Sequence, residues 1–493
     1  MTEAARHGHW VAGKAVTGDV EFEAINPTTG GVWGRFPDGD ADAVDMAVRA
    51  AEAAFVHPSW AGLTASRRGR LIMDWAALVA AEGPRLARIE TELNGKLLTE
   101  MAAQFRVIPD WMTYAAGMAD KIEGRVIPVN APGVLNYTRR EPWGVVAVIT
   151  PWNSPTFLTL QAVAPALAAG NTVVIKPSEI TPAAILEVAR LAEAAGIPPG
   201  VVNVVTGLRG TGEALVDHPG VRKIVFTGGL AAGREVAARA GRRMVPATLE
   251  LGGKSPQIVF ADANLDAAEA GLLAGIFAAA GQTCAAGSRA FIEASIYDEM
   301  VARLVARTRA IRLGDPLEAG TQMGPVASRA QLEKDCTMVE RAVAEGAEVL
   351  TGGRRVEVPG LPGGFFFEPT IVGGVGADHH LARNEVFGPV LNVAPFRDAD
   401  EALQLATDTD FGLAAGIWTK DIHRAHRMAE RIGAGTVWIN MYRAIGFNSP
   451  YGGYRDSGIG RLNGFDGIAA FTQVKSVWVD LNDTPQDPFL LKV

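Results

Sequence analysis

Cys284 stands in Gly281-Gln282-Thr283-Cys284-Ala285-Ala286-Gly287, a collar of small residues around one of only two cysteines in 493 residues. A thiol in that setting can act as a nucleophile, because the glycines let a ligand approach the backbone and Thr283 is a small polar neighbour. Taken alone, such a cysteine is more often a packing residue. Glu250, in Thr248-Leu249-Glu250-Leu251-Gly252-Gly253-Lys254, places a carboxylate among apolar residues and ahead of paired glycines. It reads either as an exposed strand end or as a partly desolvated general base with a raised pKa. Asn153, in Thr150-Pro151-Trp152-Asn153-Ser154-Pro155, follows an apolar run at the point where α/β sheets present ligand-facing loops. Its amide can cap a helix or donate to an oxyanion.

The elements that must hold these groups are legible from periodicity. Residues 40–54 and 66–101 are alanine-rich with helical spacing, which predicts an N-terminal helical layer after the turn chemistry of 25–30. Residues 121–141 loosen into an alternating pattern bounded by Gly124 and Pro132-Gly133 and predict a protruding hairpin. Apolar β-branched runs at 145–149, 172–175, 201–205 and 223–226 then alternate with helical patterns such as 182–195, which implies a parallel sheet covered on both faces. A second series follows Gly252-Gly253, with helices near 265–280 and 296–311 and strands near 390–393, 415–419 and 436–440. Two α/β units result, and clefts between such units commonly hold ligands. Residues 474–481 read as a late strand.

Composition narrows the class. A chain of this length exceeds one core of ordinary size, and 48% hydrophobic with 20% charged residues describes a folded globular protein. The net charge of −8, with Arg139-Arg140 and Arg242-Arg243 as short basic pairs but no long basic stripe, argues against nucleic acid as a partner. Two cysteines are too few for a disulfide framework and fit a reducing cytoplasm. The N-terminus lacks the pattern of a signal peptide, and the most apolar stretches, 158–169 and 270–281, are too short to span a bilayer. No membrane partner is expected.

The combination of Glu250-Leu251-Gly252-Gly253-Lys254-Ser255 with Gly281-Gln282-Thr283-Cys284 resembles the NAD(P)-dependent aldehyde dehydrogenase superfamily, in its non-acylating form. The resemblance runs from about residue 25 to 479. Pro151-Trp152-Asn153, Ile175-Lys176-Pro177-Ser178-Glu179, Glu385-Val386-Phe387-Gly388-Pro389 and Ser449-Pro450-Tyr451-Gly452-Gly453-Tyr454 extend it. It implies an α/β fold: a Rossmann-like parallel-sheet cofactor domain (1–120 and 142–252), an α/β catalytic domain (253–455), and a small β-rich oligomerisation arm with the C-terminal strand (121–141 and 456–493). It implies further that Cys284 attacks an aldehyde, that the Asn153 amide and the Cys284 N–H hold the oxyanion, and that Glu250 activates the water that hydrolyses a thioester. The cofactor would be NAD rather than NADP, because Glu179 beside Lys176 can accept from a free 2′-hydroxyl and repel a 2′-phosphate. Ile149, Thr150, Pro151, Trp152, Ser178, Leu251, Glu385 and Phe387 complete the implied cofactor site, with Thr227, Gly228, Gly229 and Gly233 at the pyrophosphate. By position Ser154, Phe157, Gln161, Thr283, Arg443, Ile445 and Tyr451 would line the aldehyde tunnel, and a homodimer or homotetramer is implied.

Several features depart from that pattern or compete with it. Gly229 replaces a usual serine, and Ala162 and Phe465 stand where many members carry a lysine and a glutamate that relay the proton of the general base. Ser154 and Gln161 replace aromatics, which predicts a roomier or more polar tunnel, and Arg443 either favours an acidic substrate or faces solvent. Gly458-Ile459-Gly460 is read as a turn, Arg234, Arg239, Arg242 and Arg243 as a solvated face, and Cys336 as a surface or half-buried thiol. His7, His9 and His379-His380 lack ligand spacing, so no metal is expected. The competing functions are a cysteine-dependent acyl-hydrolase (esterase), a CoA-acylating aldehyde dehydrogenase, which Glu250 disfavours, and a non-enzymatic protein on the same scaffold.

Overall fold

Val145–Ile149 is buried at every position, as a strand covered on both faces must be. In the computed structural model, which describes residues 4–483 and 489, it lies near the middle of an eight-stranded sheet. The order is Gly458–Ile459, Ala247–Glu250, Val221–Thr227, Val145–Ile149, Thr172–Lys176, Val202–Val204, His9–Val11 and Lys14–Val16. The central strands run parallel, and the pairs at both edges are antiparallel. Alternate side chains divide between two cores. Val146, Val148, Val173 and Ile175 pack with Trp75, Leu160 and Val163 on one face, while Val145, Ala147, Ile149 and Val174 pack with Val44, Val48, Leu215 and Val236 on the other.

The second sheet has seven strands, in the order Glu348–Thr351, Thr370–Gly373, Val390–Phe396, Arg289–Glu293, Pro256–Val259, Ala414–Trp418 and Thr436–Ile439. All its pairs are parallel except the one at the Glu348–Thr351 edge. Thr472–Asp480, Val134–Pro142 and Val126–Ile127 form a separate antiparallel sheet of three. The late strand and the expected hairpin are therefore one structure. Among the described residues no helix is long and apolar enough to cross a membrane.

Two expectations are corrected. Gly458-Ile459-Gly460 is not a free turn: Gly458–Ile459 adds an edge strand to the first sheet, with Gly458 opposite Glu250. An edge strand of two residues needs no apolar run, and a side chain at Gly458 would lie 2.1 Å from the Leu249 carbonyl oxygen. The helix expected over 66–101 is two helices, Ala65–Asn94 and Leu98–Met118. Gly95, with φ +76°, ends the first in the left-handed conformation that glycine adopts freely. The short, polar N-terminal strands Glu21–Ile25 and Val32–Pro37 carried too little periodicity to be anticipated.

Candidate active site

The strand order of the first sheet reverses between Val145–Ile149 and Val221–Thr227, the kind of switch point at which α/β sheets open a crevice. A cleft of about 700 Å³ lies there, lined by Ile149, Thr150, Pro151, Trp152, Lys176, Ser178, Glu179, Thr227, Gly228 and Gly229. A second cavity of about 200 Å³ shares Pro151, Trp152, Thr227, Gly228 and Gly229 with it and adds Asn153, Glu250, Leu251, Cys284, Glu385 and Phe387. Trp152 and Phe387 meet edge to face across it, with centroids 5.4 Å apart. Gly233 stands apart from these linings: a side chain there would meet Leu251 at 2.4 Å, so it serves close helix packing. At Gly229, which caps helix Leu230–Arg242, an added Cβ would meet nothing within 4 Å.

The backbone before Cys284 is strained. Ala279, Ala280 and Gly281 all have positive φ, at 57°, 51° and 75°, a conformation that disfavours residues with a Cβ. A side chain at Gly281 would lie 2.1 Å from the Gly388 carbonyl oxygen. Buried Gln282 secures the turn, donating from Nε2 to the Ala279 carbonyl (3.1 Å) and accepting the Ala327 N–H on Oε1 (2.8 Å). The Asn153 amide donates to the Gln282 carbonyl at 3.0 Å. That bond brings the first sheet's Asn153 loop to the second sheet's Cys284 loop.

Cys284 packs with Ala285, Leu413, Ala414 and Trp438, and the Tyr451 hydroxyl lies 3.7 Å from Sγ. Burial raises the thiol pKa; the Tyr451 contact lowers it, and the nearby Glu250 and Glu385 raise it further. Glu250, the last residue of its strand, is 5% exposed, and neither carboxylate oxygen has a protein partner. Burial lifts its pKa well above the usual carboxylate range, opposed by Arg461. It is therefore not an exposed strand end. Glu385 accepts the Gly253 N–H at 2.9 Å, and burial raises its pKa too. Phe465 is exposed, with the Arg140 guanidinium 5.9 Å from its ring centre, and Ala162 is buried.

On the other side of Asn153 the expected tunnel residues behave differently from expectation. The Ser154 hydroxyl accepts from Lys96, and the Gln161 amide donates to Asn463 Oδ1 at 2.8 Å, so both polar groups are engaged within the protein. Trp111 and Phe447, which sequence reasoning missed, line a separate small cavity beside Gln161 and Asn463. Trp111 packs edge-on to Phe157 at 5.1 Å and to Phe447 at 5.6 Å. Arg443 turns inward, donating to the Ala274 carbonyl at 3.0 Å and to Thr283 Oγ1 at 3.2 Å. Ile445 is exposed.

The arginines read as a solvated face are partly structural. Arg234 pairs with Asp456, Arg239 with Glu213 and Asp217, and Arg243 donates to the Val216 and Val221 carbonyls. Both cysteines are free, and Cys336 is half-buried. The histidine pair does approach a carboxylate: His380 Nδ1 lies 2.8 Å and His379 Nε2 3.5 Å from Glu345. The same rings also reach the Met338 and Ala342 carbonyls, as a fastening of the helix end would.

Gly281→Ala is expected to destabilise the protein by about 3 kcal/mol or more, through left-handed strain and the contact with Gly388. A lower unfolding midpoint in denaturant, with loss of Cys284 reactivity, checks this.

The aldehyde dehydrogenase family model matches residues 10–477. A (Z)-2-((N-methylformamido)methylene)-5-hydroxybutyrolactone dehydrogenase from Acinetobacter baylyi is 44% identical, covering 98% of this chain and 99% of its own. A betaine aldehyde dehydrogenase from Mesorhizobium japonicum is 41% identical, covering 96% and 97%. Among solved structures, betaine aldehyde dehydrogenase from Staphylococcus aureus in complex with NAD+ superposes with a TM-score of 0.96 at 36% identity, covering 99% and 97%. A structure described as a putative aldehyde dehydrogenase from Burkholderia cenocepacia gives 0.95 at 42% identity, covering 98% and 99%.

Proposed function

The chain belongs to the aldehyde dehydrogenase family, and from that premise we propose that it oxidises an aldehyde to a carboxylic acid with NAD, through a thiohemiacetal and a thioester on Cys284. The observation that carries this reading is the pair of joined cavities. The cleft of about 700 Å³ shares Pro151, Trp152, Thr227, Gly228 and Gly229 with the chamber that holds Cys284, Glu250 and Asn153.

The residues present fit the cofactor. The N-terminus of helix Leu230–Arg242 has no side-chain cap, and Gly228-Gly229 leave it open, which suits a pyrophosphate. Because Gly229 replaces the usual serine, that contact falls to backbone N–H groups. Lys176 and Glu179 would hold the adenosine ribose, with the half-exposed Glu179 carboxylate favouring NAD over NADP. Glu385 and Phe387 would hold the nicotinamide side. NAD, when bound, supplies the two-electron acceptor.

The chain's own groups do the rest. The Cys284 thiolate adds to the carbonyl carbon, and the Asn153 amide with the Cys284 N–H stabilises the oxyanion where charge develops. Loss of hydride from the thiohemiacetal carbon leaves a thioester. Glu250, with both oxygens free to accept, removes a proton from water as it attacks that thioester, and Cys284 leaves as thiolate. A simple acyl-hydrolase would have no use for the larger cleft. Neither Ala162 nor Phe465 can relay the base's proton, so bulk water or a peptide carbonyl would take it.

We assign 1–120 and 142–252 to the cofactor unit and 253–455 to the catalytic unit of a cytoplasmic enzyme. The three-stranded sheet, with Val126, Val474 and Trp478 exposed, would join copies of the chain as a dimer or tetramer.

Substrate choice follows from the two sides of the site. Trp111, Phe157 and Phe447 offer an apolar aromatic surface, whereas Arg443 places a guanidinium on the residue next to Cys284. A cation close to the reacting carbonyl is repelled there, and a neutral apolar or aromatic aldehyde is the substrate class that fits. Although several relatives are named for betaine aldehyde, that compound carries its charge beside the carbonyl and should be a poor substrate.

Four outcomes are expected. Cys284→Ala abolishes NADH formation with a good aldehyde; wild-type rates would remove the assignment. Glu250 acts as carboxylate, so turnover declines as pH falls through its raised pKa. Glu250→Gln should keep a first burst of NADH while steady-state turnover drops about 10²- to 10⁴-fold, and stopped-flow fluorescence against pH separates the two phases. Arg443→Met should raise kcat/KM for a cationic aldehyde about tenfold relative to a neutral one, as read from an aldehyde panel.

A further inference from the structure

The break between helices Ala65–Asn94 and Leu98–Met118 carries three acid or base groups that no step above uses. Lys96 is 3% exposed; its Nζ donates to the Asn153 backbone carbonyl at 2.7 Å and to Ser154 Oγ at 3.2 Å. Buried Glu90 accepts the Thr156 N–H at 2.9 Å, capping helix Pro155–Ala168 where Ser154 makes no cap bond of its own. Glu100 accepts the Leu97 N–H at 3.1 Å and, through its other oxygen, the Ala279 N–H at 2.8 Å. Two of the three side chains thus grip the backbone around Asn153, and the third grips the strained turn that leads to Cys284.

A lysine is a costly choice for mere packing. Taking an ammonium out of water carries a penalty of several kcal/mol, and an apolar chain of similar length would fill the same space without it. Burial lowers the Lys96 pKa to about 8, although Glu100 and Glu90 favour its charged form and Arg443 opposes it. What the ammonium gains is two acceptors on consecutive residues, which leaves the Asn153 peptide little freedom to tilt. The Asn153 side chain then reaches the Gln282 carbonyl from a fixed base.

We propose that Lys96 is a positioning residue of this active site: by holding the Asn153 carbonyl and the Ser154 hydroxyl it sets the direction from which the Asn153 amide meets the developing oxyanion. The proposal rests on the reading of Asn153 as oxyanion donor. Lys96 touches no reacting atom; it acts through Asn153. Its loss therefore weakens transition-state stabilisation and leaves ground-state binding and thiol exposure alone.

The test is a double-mutant cycle in the full-length protein. Lys96→Met should lower kcat about 10- to 100-fold, with aldehyde KM, NAD affinity and the rate of Cys284 alkylation by iodoacetamide each within about threefold of wild type. Asn153→Ala should lower kcat about 10²- to 10³-fold. In the double variant the losses should not multiply: Lys96→Met adds less than about threefold once Asn153 is gone. Lys96→Arg, which keeps the charge but moves the donor, runs through the same cycle with a smaller non-additive loss and carries the test if Lys96→Met is insoluble. Multiplying losses, or kcat for Lys96→Met close to wild type while Asn153→Ala is impaired, would overturn the role of Lys96 alone. Near-wild-type kcat for Asn153→Ala would overturn the oxyanion reading and the proposal with it.

Discussion

The hydrogen bond from the Asn153 amide to the Gln282 carbonyl is the point at which two separately built sheets are brought into chemical register. Each sheet supplies part of the proposed site at the end of a strand or in the loop beyond it. Neither part is useful unless the loops meet within an ångström or so, because the effect of an oxyanion donor falls steeply with misplacement. The rest of the molecule can be read as support for that contact. On one side, Val145–Ile149 is locked between two cores and delivers Pro151-Trp152-Asn153 from a rigid base. On the other, the positive-φ turn 279–281 is held by Gln282, by the close approach of Gly388 and by Glu100.

The electrostatics of the chamber follow from the same burial. Excluding water raises the pKa of Cys284, Glu250 and Glu385 alike, and the carboxylates reinforce the effect on the thiol. A positive charge entering the chamber would favour the ionised form of all three. An oxidised nicotinamide bears such a charge, and the proposed cofactor cleft opens onto this chamber.

Strand and helix alternation was legible in the sequence because the strands 145–149, 172–176 and 221–227 are buried almost throughout and helical stretches separate them. Cys284, Glu250 and Asn153 were legible because their neighbours are unusual: paired glycines, a Pro-Trp pair, a small-residue collar. Residues that act through contacts across the fold were not. Lys96 lies in a stretch whose apolar spacing continues helical on either side, and Asn94-Gly95 before it was the one local sign of a break. Trp111 and Phe447 are far apart in the chain and look like ordinary core residues; only the fold brings them together, with Trp111 touching both Phe157 and Phe447. Ser154 and Gln161 predict a roomier or more polar tunnel from sequence, since partners such as Lys96 and Asn463 are invisible without the fold.

The edge strand Gly458–Ile459 gives the clearest case of a remote segment tuning the chemistry. Glu250 ends an edge of the parallel sheet, where a carboxylate would ordinarily meet water and titrate as an exposed acid. The chain returns some two hundred residues later to place Gly458 opposite Glu250 and to bring Gly452 against its carboxylate. Glycine is required there, since any side chain at 452 or 458 would collide with Glu250 or with the strand that carries it. The carboxylate is buried by backbone that offers its oxygens no donor, and its pKa rises with that burial. After this detour the same segment runs on into Thr472–Asp480, paired along its length with Val134–Pro142. The covering of the carboxylate and the three-stranded sheet are thus parts of one continuous stretch of chain.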